Sequence, residues 1–137
     1  MAANKSFRFG PVALTTTTTT NILNPNVTAV TGPVGFTMTQ PYILLRHVRV
    51  TNKTNAAANF ALWLGATGAN AAGSEVIAGG AAGGGALTAG TGTTVAANSS
   101  FDWYGVLRVD AADFLVGGAG TATALTIEGE GEIGVSG

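Results

Sequence analysis

Tyr42-Ile43-Leu44-Leu45-Arg46-His47-Val48-Arg49-Val50-Thr51-Asn52 is the stretch on which the reading of this chain turns. Leu44, Val48 and Val50 fall on one face at period two, with His47, Arg49 and Thr51 on the other. That is the pattern of a strand in a sheet with one covered side. Arg46 breaks the alternation, being in phase with the apolar set. The following Thr51-Asn52-Lys53-Thr54-Asn55 is rich in residues that hydrogen-bond their own backbone, so it reads as a turn. Phe60, Leu62 and Leu64 then resume the alternation, and the two runs predict a hairpin.

Outward from this hairpin the same period recurs. Leu125, Ile127, Ile133 and Val135 share a phase opposite Glu128, Glu130 and Glu132, and Gly129 and Gly131 predict a bulge or bend in that strand. Phe101 to Val109 and Phe114 to Val116 read as strands separated by the Asp110-Ala111-Ala112-Asp113 turn. Residues 11–20, 26–30 and 34–39 read as strands bounded by Asn, Pro and Gly, and residues 93–96 as a weaker one. Period two carried by β-branched residues makes the chain all-β. About eight short strands predict an antiparallel two-sheet sandwich of jelly-roll topology.

Two segments fit this frame loosely. Residues 66–92 form an Ala/Gly-rich insertion with few large apolar side chains, predicted as a long surface loop with one helical turn at residues 74–78. The run Thr15 to Thr20 favours extended chain but carries the same residue on both faces, so it specifies register weakly. It suits a sheet edge or pairing with a neighbouring subunit. The chain of 137 residues accommodates one domain, read as a sandwich over residues 15–137 preceded by an extended N-terminal arm over residues 1–14.

Charged residues make up only 9% of the chain, and none occurs from Phe9 to Leu45 or from Val76 to Phe101. An ordinary soluble domain carries about 25%, so much of this surface is expected to face protein. A net charge of -1 with six scattered Lys and Arg offers no clustered cations for nucleic acid or for an anionic membrane. Polar residues interrupt the first charge-free stretch and glycines dominate the second, so neither reads as a transmembrane helix. The N-terminus lacks the apolar core of a signal peptide, which predicts a protein made and used without secretion. With no cysteine, neither a disulfide framework nor a cysteine-ligated metal is available.

Catalytic chemistry finds little material. His47 is the only histidine, and no serine has the context of an activated nucleophile. Asp102, Asp110 and Asp113 sit in or beside turns rather than flanking a cleft as a glycosidase pair would. Glu128, Glu130 and Glu132 can share a strand face, yet nothing supplies the six to eight oxygens that a hard cation prefers. They can instead pair with Arg46, Arg49 or Arg108 across a subunit contact. The chain therefore reads as a non-enzymatic protein with no cofactor and no metal. The aromatic side chains are the better candidates for function, at a protein interface. Trp63 is out of phase with Phe60, Leu62 and Leu64, so it either faces outward as an anchor or is buried beneath the loop. Trp103 and Tyr104 must point opposite ways, one to the core and one to the surface or an interface.

The succession Val48-Arg49-Val50-Thr51-Asn52-Lys53-Thr54, Phe60-Ala61-Leu62-Trp63-Leu64-Gly65, Val95-Ala96-Ala97-Asn98-Ser99-Ser100-Phe101-Asp102-Trp103-Tyr104-Gly105 and Ala122 to Ile127 resembles small β-sandwich virion proteins of tailed bacteriophages. The likeness covers roughly residues 42–135 and is one of strands and turns, without a catalytic signature. The low charge makes capsid decoration (cement) proteins the most similar members of that group. The resemblance implies a structural protein on the outer capsid surface, made in the host cytoplasm, that binds the major capsid protein and self-associates as a homotrimer. It leaves open a tail, neck or fibre component, or a receptor- or carbohydrate-binding module. The long Ala/Gly insertion is not part of the shared pattern. In this reading the arm docks on the shell or an adjacent protomer through Phe7, Phe9 and Pro11. Thr15, Thr17, Thr19, Trp63, Trp103 and Tyr104 complete the expected interface residues.

Overall fold

A computed structural model describes residues 5–17, 21–24, 41–65, 74–77, 87, 92–110 and 113–135. Among these residues every regular element is a strand: β1 (Lys5–Ala13), β2 (Asn21–Leu23), β3 (Pro41–Asn52), β4 (Ala58–Gly65), β5 (Ser74–Ile77), β6 (Thr93–Val95), β7 (Ser99–Asp110), β8 (Phe114–Ala119) and β9 (Leu125–Val135). They form two sheets, ordered β1-β9-β3-β7 and β2-β8-β4-β5, with β6 also paired to β4. All pairings are antiparallel.

The strands pair as nested partners: β1 with β9, β2 with β8, β3 with β7 and β4 with β5, alternating between the sheets. This is the jelly-roll arrangement expected from the sequence. Nine segments occupy eight positions, because β6 lies opposite Ala58–Phe60 and β5 opposite Leu62–Leu64 on the same side of β4. The strands expected at residues 26–30 and 34–39 lie outside the described residues. Residues 74–77 are the strand β5, not the helical turn that the sequence suggested. The Thr run is not a strand where it is described: β1 ends at Ala13, and the Thr17 N–H bonds the Thr15 hydroxyl at 3.3 Å in a local turn.

Both sheets close on one apolar core, with Ile43, Leu45, Val48, Val50, Val109, Leu125 and Ile127 from the first sheet against Phe60, Leu62 and Leu115 from the second. The central strand β3 meets this core with a phase change. Ile43 and Leu45 are buried on one side of Arg46, and Val48 and Val50 on the other, so Leu44 is not in the core set. The cause is a bulge. Against β9, Leu45 pairs Gly131 while His47 pairs Glu130, leaving Arg46 as the extra residue. Arg46 thereby points outward, and the apparent break in the alternation is the site of the slip.

The N-terminal segment is part of this sheet rather than an arm. In β1, Phe7 pairs Gly131 and Phe9 pairs Gly129. Both rings are buried in the core and stack at 6.3 Å between centroids. A side chain at Gly129 would collide with the Phe9 ring and with the His47 carbonyl, and one at Gly131 with the Leu44 carbonyl. Gly129 thus leaves room that the Phe9 ring of β1 fills, a cross-strand complement in which an aromatic covers a strand glycine. β1 then bulges at Gly10, whose φ of +77° suits glycine and whose missing side chain lets the Ile127 carbonyl approach.

The runs read from the sequence as a hairpin are not one: β3 and β4 lie in different sheets, and the turn between them crosses the sandwich. In it Asn52 is fully buried and fully bonded. Its amide donates to the carbonyls of Ala56 (2.9 Å) and Val95 (3.0 Å), and its carbonyl oxygen accepts from the Thr54 N–H (2.9 Å) and hydroxyl (2.7 Å). Residues that bond their own backbone do shape this turn, as the sequence indicated.

Replacing Phe9→Ala is expected to lower stability by about 3–5 kcal/mol in urea unfolding, because a large buried ring leaves a cavity over Gly129. Deleting residues 1–14 is expected to abolish the cooperative transition, whereas an undocked arm would be removable without effect.

Candidate functional site

Charge on this chain is concentrated on one surface, the outer face of the β1-β9-β3-β7 sheet. All four arginines, the histidine and five of the seven acidic residues occur on these four strands. Alternation explains the placement: where Ile127 and Ile133 point to the core, Glu128, Glu130 and Glu132 point away. Neighbouring strands then set opposite charges side by side. Arg8 donates to Glu128 at 3.0 Å, Arg46 Nε to Glu132 at 2.8 Å, Arg49 Nε to Asp102 at 2.8 Å and Arg108 Nε to Asp110 at 2.6 Å. Arg108 also lies over the Tyr42 ring, 4.2 Å from its centroid.

His47 is the centre of this face. Its Nε2 is 2.7 Å from Asp102 Oδ1 and its Nδ1 is 3.1 Å from Glu130 Oε1, while the ring stacks on Tyr104 at 4.6 Å. A neutral imidazole can donate at only one of these two contacts, and an imidazolium at both. The Arg49 guanidinium and the His47 ring, both bonded to Asp102, hold its carboxyl below the usual carboxylate range. Asp102 in turn raises the Arg49 guanidinium above its ordinary value, chiefly through the same hydrogen bond. Beside His47 is an open depression of about 360 Å³ lined by Arg8, His47, Arg49, Tyr104, Glu128, Gly129 and Glu130.

The three strand-alternating glutamates therefore do not converge. Each reaches its own cationic or imidazole partner within the chain, rather than one across a subunit contact. Among the described residues no group of three or more His, Cys, Asp and Glu side chains is placed to hold a metal ion. No helix among them is long and apolar enough to cross a membrane.

The interface residues expected from the sequence divide sharply. Phe7 and Phe9 are core residues at 5% and 6% exposure, so they are not available to dock on a neighbour. Pro11, Thr15 and Thr17 are exposed, though the Thr15 carbonyl accepts from the Ala119 N–H at 2.8 Å and so ties this segment to β8. Thr19 lies outside the described residues. Trp63 takes the buried alternative: it packs with Ala61 and Leu87 on the far face of the second sheet, so a residue of the Ala/Gly-rich segment covers it. Trp103 packs half-buried against the core, and its neighbour Tyr104 is 71% exposed. The pairing of His47 and Arg49 with Asp102 was not legible in the sequence, because it depends on the register that sets Arg49 opposite Asp102.

Asp102 carries a pH prediction. A carboxyl with a lowered folded value contributes stability that is present above its unfolded value and is lost as pH falls through the lowered one. Asp102→Asn is expected to be less stable than the parent at neutral pH. The difference should begin to shrink as pH falls below about 4, the ordinary Asp range, and vanish once pH is below the lowered folded value, in thermal unfolding followed across pH. Comparisons with protein families, characterised proteins and solved structures find no match to this chain.

Proposed function

We propose that this protein is a non-enzymatic structural component of a tailed-phage particle, which decorates the capsid by packing against major capsid protein subunits and against itself. One observation carries the reading: a small rigid jelly roll whose charges are gathered on one face and neutralised there by one another. Outside those four strands only Lys53, Glu75 and Asp113 are ionic. The rest of the chain has little charge with which to repel a neighbouring polypeptide, and low charge at the centre of a contact is what protein interfaces favour. Repetition over a shell makes many modest contacts collectively strong.

The self-neutralised face separates this reading from charge-driven binding. Cement contacts made through uncharged surface are expected to survive about 1 M salt, where the Debye length falls to about 3 Å. Co-sedimentation of the purified protein with expanded, DNA-free shells checks this. Retention at high salt supports the reading, and failure to sediment with any shell overturns it. The exposed Tyr104 beside the depression favours a second reading, a tail or receptor-binding module with a carbohydrate ligand. Binding on a glycan array together with location at the tail by electron microscopy establishes that one instead.

A further inference from the structure

β7 is an open edge. Its one strand partner among the described residues is β3, against which the register slips at Gly105–Val106, and on either side of that slip alternate N–H and C=O groups are left without a neighbouring strand. Proline and lysine, which commonly protect such edges, are absent from it. The two most exposed large apolar side chains of the described residues, Tyr104 at 71% and Val106 at 65%, stand on this strand on either side of Gly105.

The order of residues in β7 is complementary to itself about Gly105. An antiparallel second copy related by a two-fold axis at Gly105 sets Tyr104 opposite Val106, Asp102 opposite Arg108, Trp103 opposite Leu107 and Phe101 opposite Val109. Each contact occurs twice, as a two-fold interface requires. Adjacent registers lose this match. An axis at Val106 sets Asp102 against Asp110, and an axis at Tyr104 sets Arg108 against Ser100. Facing like charges oppose pairing, while opposite charges and aromatic with β-branched neighbours favour it. At the axis Gly105 presents no side chain, so two backbones can approach. A side chain there would require the half-buried Trp103 ring to move, since an added Cβ would be 2.7 Å from Trp103 Cζ2.

We infer that β7 joins two copies of this chain edge to edge, extending the β1-β9-β3-β7 sheet across a two-fold axis at Gly105. The contact differs from the threefold arrangement that the phage resemblance implies, and it stands or falls independently of shell binding.

The chain contains no cysteine, which makes the register directly testable. In the Tyr104→Cys/Val106→Cys variant each new thiol faces the other kind across the axis, so mild oxidation is expected to yield a covalent dimer on a non-reducing gel. Each single-cysteine variant is expected to stay uncross-linked. Sedimentation velocity on the unmodified protein should show a monomer–dimer equilibrium. Arg108→Glu, which sets two acids face to face, should raise the dimer dissociation constant by at least about tenfold with the strand circular dichroism retained at low concentration, although the variant also loses the intrachain contacts to Asp110 and Tyr42. A monomer at every concentration, a ring of three without the cross-link, or cross-linking by the single variants to the same extent would each overturn the inference.

Discussion

The first sheet depends on filling the gap that Gly129 and Gly131 leave on the core side of β9. No side chain of β9 can fill it, because the carbonyls of His47 and Leu44 and the ring of Phe9 approach too closely for a Cβ. At Gly129 the volume is supplied from the neighbouring strand by the Phe9 ring, while Phe7 stands opposite Gly131 in register and the Leu44 carbonyl closes on that glycine. Burying two aromatic rings in this way contributes several kcal/mol, a large share of the 5–15 kcal/mol typical of a whole domain. The same close approach accommodates the Arg46 bulge, since Gly131 and Glu130 are the residues against which β3 slips. The chain's first strand and its last are therefore one structural unit, and the sandwich closes through them.

The bulge also organises the outer face. By shifting β3 one residue, it places both Arg46 and His47 on the solvent side, where they meet Glu132 and Glu130. Individual exposed ion pairs contribute at most about 1 kcal/mol. Here the pairs share members: Asp102 takes both Arg49 and His47, and His47 reaches both Asp102 and Glu130. The consequence for function is a face that is polar yet nearly neutral overall. It solvates one side of the sandwich without attracting a partner of either charge.

The two sheets thus present contrasting surfaces. The first offers a hydrated, charge-paired face and an open edge at β7 on which Tyr104 and Val106 stand exposed. On the second sheet Ala61 and Trp63 are buried with Leu87 rather than exposed to solvent. A structural particle protein needs a rigid body and edges that neighbours can engage, and chemistry adds nothing to that task. The edge and the scarcity of charge bear on the proposed function more than any single side chain does.

The sequence by itself determined the strands of the sandwich wherever alternation was unbroken: β4 from Phe60, Leu62 and Leu64, and β9 from its glutamates opposite its isoleucines. Alternation is local, so period two suffices to read it. It also showed that the β3–β4 turn is built by residues such as Asn52 that bond nearby backbone. What tertiary structure alone decided were relations between distant segments. Phe-x-Phe near the start of the chain looked like a docking arm until pairing set it over Gly-x-Gly near the end. Trp63 could face either way until Leu87 was brought onto it. Arg46 read as an exception until two partner strands revealed a bulge, and Asp102 acquired its role only through the register of β7 against β3. Each depends on which strands become neighbours and in what register, and a strand's own alternation carries no record of its partner.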